Sequence, residues 1–232
     1  MKTNENIPSL FLLDKNITYL NHGSFGACPK PIFNNLIYWQ KLLERQPVNY
    51  LEELFAKRLS GSRLCLAKFI NCNYKDLVFF PNPTMAMNEV IKSIDLKPGD
   101  EVLSTNHEYG AIDKAWGYVC ENLGAIYKKQ AITTPIESKQ CFIDEFFSGV
   151  SKKTKIVFIS HITSPTGIIF PVNDICKIAK KLGLITIVDG AHAPGHINLN
   201  LKTLNADIYV GACHKWLLCP KGVSFLYVTK DM

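Results

Sequence analysis

Two stretches of this 232-residue chain end in side chains that can do chemistry. Leu184-Ile-Thr-Ile-Val188 runs into Asp189-Gly-Ala-His192, and Asp207-Ile-Tyr-Val-Gly211 runs, through Ala212 and Cys213, into His214-Lys-Trp216. Each apolar run reads as a buried strand. Asp189 and Lys215 are therefore expected at the carboxyl ends of neighbouring strands, where open α/β sheets bind ligands. An acid and an amine held apart in one crevice suit a cofactor with a basic ring nitrogen at one end and an aldehyde at the other. Pyridoxal phosphate (PLP) is such a cofactor: a lysine forms the Schiff base and an aspartate holds the pyridinium proton. Singly, Asp189 could cap a helix and Lys215 could be a solvated lysine. Their arrival together with His214 and Trp216, where the chain leaves a buried sheet, is what favours the cofactor.

Three more segments can supply contacts to the same sheet edge. Leu77-Val-Phe-Phe80 ends in Pro81-Asn-Pro-Thr84, and Thr84 opens the helix Met85-Ala-Met-Asn-Glu-Val-Ile91. A Thr-capped helix after a proline-constrained turn is an anion site, because the free amides of the first turn and the hydroxyl converge there. Asn106-His-Glu-Tyr-Gly110 follows the strand Glu101–Ser104 and offers Tyr109 as a ring to lie on a cofactor. His161-Ile-Thr-Ser-Pro-Thr-Gly167 follows Lys155-Ile-Val-Phe-Ile-Ser160, and its hydroxyls, Ser164 among them, either reach a ring oxygen or satisfy the turn.

The elements that must carry these residues follow from periodicity. Strands are expected near 77–80, 101–104, 125–128, 155–160, 184–188, 206–210 and 223–228. Helices are expected from Pro31 to about Arg45, from about Asn49 to Phe69, and near 84–94, 109–122, 141–148 and 172–182. This alternation predicts an α/β fold with a mainly parallel seven-stranded sheet sandwiched by helices. Residues 1–30 read as an arm, mobile or loosely docked through Lys15, then a short β-prone piece at Ile17–Leu20 and a glycine-marked loop, Asn21-His-Gly-Ser-Phe-Gly-Ala-Cys-Pro29. Residues 31–232 read as the cofactor-binding domain.

Composition excludes some classes. With 47% hydrophobic and 20% charged residues the chain is globular, and a formal charge of +6 with scattered lysines gives no nucleic-acid signature. Leu10-Phe-Leu-Leu13 is too short for a signal sequence or a membrane span. Eight cysteines without CxxC pairs suggest neither a metal site nor a disulfide framework; most are expected to be small buried hydrophobes in a reduced, cytoplasmic protein.

Assembled, these motifs resemble a fold-type I PLP-dependent enzyme of the class V aminotransferase family. The isopenicillin N epimerase-like branch, which includes hercynylcysteine sulfoxide lyases, is the most similar. The resemblance rests on Tyr19-Leu-Asn-His-Gly-Ser-Phe-Gly26, Arg45-Gln-Pro-Val48, His107-Glu-Tyr-Gly-Ala111, Thr163-Ser-Pro-Thr-Gly167, Asp189-Gly-Ala-His192 and His214-Lys-Trp216, in that order over nearly the whole chain. It implies that Lys215 carries the cofactor and later moves the substrate Cα proton, that Asp189 holds the pyridinium, and that His192 faces the phenolic oxygen. It places Tyr109 where related desulfurases stack a histidine, gives the phosphate to Thr84 and Asn82 with help from His214, and sets Asn21 and His22 on the substrate side. Ala212 departs from the polar residue that relatives carry near the phosphate. The resemblance further implies a small C-terminal domain that this chain lacks, a homodimer, and a small amino-acid substrate. No cysteine stands where desulfurases need their nucleophile, so epimerase or C–S lyase chemistry is expected ahead of desulfuration or transamination. A non-catalytic PLP-binding fragment, or an aminotransferase, is the alternative, and the missing small domain is expected to leave apolar surface exposed and solubility poor.

Overall fold

The computed structural model describes residues 7–230 and 232. Seven strands form one sheet: β1 (Leu77–Phe80), β2 (Glu101–Thr105), β3 (Ile126–Gln130), β4 (Thr154–Ser160), β5 (Ile185–Gly190), β6 (Ile208–Ala212) and β7 (Ser224–Val228). Their order across the sheet is β1-β7-β6-β5-β4-β2-β3. β7 runs antiparallel to both β1 and β6, and the remaining pairs are parallel. The strand carrying the chain back after the lysine loop is thus the one reversed strand. All the others point their carboxyl ends to one edge, and the loops that follow β1, β2, β4, β5 and β6 converge there.

Helices cover both faces, as the alternation predicts. They are α1 (Lys30–Arg45), α2 (Pro47–Asn49), α3 (Phe55–Ile70), α4 (Pro83–Ser93), α5 (Gly110–Leu123), α6 (Lys139–Phe147), α7 (Val172–Lys181) and the short α8 (Leu201–Leu204). A π turn over Tyr50–Leu54 joins α2 to α3, so the second expected helix is broken into three pieces. Strand residues alternate between two cores. Ile156, Phe158, Ile187, Ile208 and Val210 face α4 and α5, with Met87, Ile91, Ile112 and Trp116. Val157, Ile159, Val188 and Tyr209 face α3, α6 and α7, with Ile70, Phe146 and Ile175. This period of two decides which side chains at the strand ends meet which helices.

Two expectations need correction. Ile17–Leu20 is not a strand: Ile17 and Leu20 are exposed and the segment pairs with no sheet edge. The described part of the arm is held by a bridge between Phe11 and Pro29 and by Lys30 Nζ donating to the Ser9 carbonyl (2.8 Å); residues 1–6 lie outside the described residues. The cysteines are less buried than expected, since only Cys120, Cys176 and Cys213 are buried while Cys65 and Cys141 are exposed. Apolar periodicity marks a helical face but does not distinguish a face covered by the sheet from one left open, as on α3.

Candidate active site

Asp189 and Ser160 sit opposite each other in the parallel register of β4 and β5. Both occupy positions that alternate onto the α4/α5 face, like Phe158 and Ile187 one step of two earlier. They form the floor of a cavity of ≈ 380 Å³, a volume in the roughly 300–1,000 Å³ range of small-molecule sites. Lys215 and His214 close one side from the loop after β6. Asn82, Pro83 and Thr84 close another from the start of α4. Tyr109, just before α5, and Ile112 on α5 also line it, as do Ser164 and His192. Eight of the ten residues expected at the site therefore line one cavity. Asn21 and His22 do not; their neighbours Gly23, Ser24 and Phe25 do. Ala212 lies fully buried on β6, outside the lining.

The amino-terminal loop reaches the site by docking on the lysine loop. Gly26 N–H donates to the His214 carbonyl (2.8 Å), Lys221 Nζ donates to the Gly26 carbonyl (2.7 Å), and a Cβ on Gly26 would collide with the Lys215 carbonyl oxygen. Glycine here permits the approach of two backbones, not of a backbone to a ligand.

Protonation at the site follows from hydrogen-bond directions. The Trp216 indole can only donate, and its Nε1–H reaches His192 Nδ1 at 3.3 Å. His192 Nδ1 is therefore an acceptor, and in the neutral ring the proton sits on Nε2, which faces Lys215 Nζ at 3.2 Å. Burial, with Lys215 and His196 nearby, pushes the His192 imidazole down to about 4, so it is neutral at ordinary pH. Burial also lowers the Lys215 ammonium, against an opposing pull from Asp189. A neutral Nε2–H donating to a neutral amine is the arrangement that satisfies all three groups.

Asp189 is fully enclosed, and burial raises its carboxyl above the ordinary range, opposed by the Ala191 N–H (3.0 Å) and by Lys215. His214 Nδ1 lies 2.9 Å from the Val223 carbonyl, so the neutral ring carries its proton there and leaves Nε2 as an acceptor. Burial lowers this histidine as well. It can donate to an anion only when doubly protonated.

The phosphate end differs from its expected form. The N-cap of α4 is Asn82, whose Oδ1 accepts from Met85 N–H (2.9 Å), and Pro83 and Thr84 follow as the first helical residues. Asparagine caps at least as well as threonine, and proline is favoured directly after the cap. One first-turn amide is thereby consumed and Pro83 has none. The Thr84 N–H and hydroxyl and the Asn82 Nδ2 remain to meet an anion, a fit to a phosphate with fewer donors than an open helix start.

The comparisons with known proteins bear on this geometry. The aminotransferase class-V family model matches residues 39–232. The chain belongs to this family. It is 32% identical over 222 residues to isopenicillin N epimerase of Amycolatopsis lactamdurans, covering 94% of this chain and 56% of that protein. It is 28% identical over 229 residues to L-cysteine desulfhydrase of Arabidopsis thaliana, covering 92% of this chain and 50% of that protein. The chain spans about half the length of the curated relatives it matches. Its fold matches the cystine C–S lyase C-DES, solved with its product cysteine persulfide, with a TM-score of 0.85 at 24% identity over 97% of this chain and 59% of that one. Membership thus agrees with the class V resemblance and its branch, and the mainly parallel sheet is the fold these structures share.

Two residues at this cavity escape a motif-by-motif reading. Glu108 is buried, with Oε1 accepting from the Thr105 hydroxyl (2.7 Å) and Oε2 from the Ser160 hydroxyl (2.5 Å). Burial pushes its carboxyl up to about 8 against those two hydrogen bonds, and the nearby Asp189 adds to the rise. It is a neutral acid just beneath the cavity floor. Ser160 was legible by counting in steps of two from Phe158. Glu108 had no such signal, because an acid beside an expected cofactor ring reads as a solvated helix start. Among the other motif residues, Thr163 and Thr166 bond each other (2.6 Å) and satisfy their turn, leaving Ser164 at the cavity. Arg45, at the end of α1, is exposed and no part of the lining.

Proposed function

We propose that this chain forms the cofactor-binding part of a PLP-dependent enzyme acting on an amino acid, with epimerase or C–S lyase outcome. The observation that carries the reading is the convergence of Asp189 and Lys215 on one cavity whose third wall is the start of α4. The bound cofactor supplies an electron sink that makes a substrate Cα–H acidic. The chain's own residues do the rest. Asp189 would hold a ring proton as the carboxylate, a charge that burial opposes and that the Ala191 N–H and a neighbouring cation favour. The Lys215 ammonium is lowered by burial, which favours the amine that is nucleophilic toward an aldehyde and afterwards basic enough to move the Cα proton. His192 Nε2–H donates at the lysine side, where it can serve a phenolic oxygen. Tyr109 would cover a flat ring and Thr84 with Asn82 would hold a phosphate, which His214 can join as a donor only when doubly protonated. Ser164 offers a hydroxyl at the margin. Asn21 and His22 stay one step behind Gly23–Phe25 and act on a substrate only through that loop.

The names of relatives support both outcomes, since one is an epimerase and others are cysteine desulfhydrases. Asp189 and Lys215 serve either. A homodimer is part of the proposal: Phe33, Tyr38, Leu51, Phe55 and Phe69 on α1–α3 are exposed and offer a surface for a second copy. The setting proposed is a reducing, cytoplasmic one, where the free thiols persist; no described helix is long and apolar enough to cross a membrane.

The test is the absorption spectrum of the purified chain with added PLP beside its Lys215→Ala variant, followed by exchange of amino-acid Cα hydrogen in D₂O. A band near about 410–430 nm, lost in the variant, is expected from a lysine-linked cofactor. Exchange should fall on the order of 10²–10⁴-fold without the lysine. Two colourless proteins would sink the reading. A band with no exchange for any amino acid would leave a non-catalytic PLP-binding fragment.

A further inference from the structure

Trp216 stands next to the lysine but does not touch the cavity. Its ring is held on several sides. His196 stacks on it at 4.4 Å between centroids, the His22 ring lies 6.3 Å away, and a Cβ on Gly23 would come within 3.3 Å of it. His196 Nδ1 in turn faces the His192 carbonyl at 3.3 Å. The indole is therefore fixed with its one polar atom on His192 Nδ1, although a phenylalanine ring would fill the same packing.

We infer that Trp216 is a positioning residue: its indole N–H fixes His192 as the Nε2–H tautomer, and that proton, donated to Lys215 Nζ, holds the lysine as a free amine. An imidazole with the opposite tautomer would present a lone pair to Nζ and favour the ammonium. The difference matters because only the free amine attacks an aldehyde. The inference rests on the proposed function for its purpose, while its geometry is independent of any cofactor. The other groups facing this pair are Asp189, which favours the ammonium from across the cavity, His214 and Lys221 on the lysine side, and His196 beyond His192. None of them contacts His192 Nδ1, so the indole alone sets the tautomer.

Two measurements on the cofactor-free full chain test this. The first is the ¹⁵N shift pattern of the His192 ring in the unmodified protein near pH 7, which should report protonated Nε2 and bare Nδ1. An Nδ1–H tautomer or an imidazolium overturns the inference without any mutation. The second is the pH profile of Lys215 acetylation, read by mass spectrometry, in the unmodified chain and in Trp216→Phe. The half-labelling pH should move up by about one unit, leaving about tenfold less reactive amine at any lower pH. An unmoved profile in a variant with native circular dichroism overturns it; if that variant does not fold, the ring ¹⁵N pattern decides. A shifted profile in a chain that never develops the PLP band supports this inference and defeats the proposed function. A PLP band with an unmoved profile does the reverse.

Discussion

At the carboxyl edge of the sheet, the two faces bury polar groups side by side and to opposite effect. On the α4/α5 face lie Ser160 and Asp189, with Glu108 beneath them, and each keeps contact with a cavity or with a group that lines it. One residue further along the same two strands, His161 and Gly190 turn to the other face. There His161 Nδ1 meets the Tyr209 hydroxyl at 2.9 Å, and the tyrosine ring lies under Gly190, where any Cβ would collide with it. Both partners are buried and complete each other. Burial pushes His161 down to about 4, the same value as His192. A shifted histidine therefore does not by itself mark a reactive site. What separates the two is whether the hydrogen-bond partner is a sealed hydroxyl or a lysine at a cavity wall.

The largest expected effect comes from exchanging one carboxylate on the reactive face and one hydroxyl on the sealed face. Asp189→Asn should reduce Cα-hydrogen exchange by about 10²–10³-fold, the usual cost of removing one preorganised polar partner from a transition state. It should cost little stability, since it replaces a desolvated acid with a neutral isostere. Tyr209→Phe should do the reverse. It strands His161 Nδ1, at a cost of about 1–3 kcal/mol in denaturant unfolding, and leaves PLP affinity where it was. If Tyr209→Phe abolished PLP binding while stability held, the contrast between the two faces would be wrong.

That contrast also explains what the sequence could reveal. Asp189 and Lys215 were legible because each terminates an unbroken apolar run, and a buried strand can release a polar side chain only at its end. The central strands β4, β5 and β6 were legible for the same reason, whereas the edge strand β3, Ile126-Tyr-Lys-Lys-Gln130, is half exposed and was legible from its place in the alternation. The lining by Gly23–Phe25 in place of Asn21 and His22 was not, because it depends on how a loop without periodicity docks on another loop. The exchange of cap from Thr84 to Asn82 was hidden by chemistry: both residues cap helices, and Pro83 between them is compatible with either register. Glu108 was invisible because its partners, Thr105 and Ser160, come from strands β2 and β4, and Ser160 lies 52 residues away.

A second, intermediate effect is the pH dependence of stability in the cofactor-free chain. Folded Glu108 keeps its proton up to about 8, whereas an unfolded glutamic acid loses it near 4.5, so this group lowers stability as pH rises across that window. His161 and His192 act in the opposite sense. Unfolded they hold a proton up to about 6.5, folded only to about 4, so stability rises with pH between those values. Lowered His214 adds to the rise and raised Asp189 to the fall. Below about 6.5 the histidines outnumber the glutamate. Above it Glu108 acts against a background they no longer supply, and stability should decline toward pH 8. Glu108→Gln should flatten that decline, steepen the rise between about 4.5 and 6.5, and leave the limb below about 4.5 unchanged. A decline equally steep in the variant would show that Glu108 is ionised in the folded protein.

The smallest effects separate capping from anion binding within three residues of α4. Asn82→Ala removes the acceptor of Met85 N–H and should cost about 1 kcal/mol in unfolding. It also returns one amide to the helix start, so its loss of the Asn82 side chain is partly offset for a bound phosphate. Thr84→Val keeps the cap and the backbone and deletes only the hydroxyl. One neutral hydrogen bond is worth about 0.5–1.5 kcal/mol, so PLP affinity should weaken about 2–10-fold with stability unchanged. Isothermal titration with PLP and urea unfolding, run on both variants, give the four numbers needed. If Asn82→Ala weakened PLP binding more than Thr84→Val, the asparagine would be a direct phosphate ligand and its capping bond would have to break in the loaded protein. If the order holds, the helix start is built by one residue and used by the other.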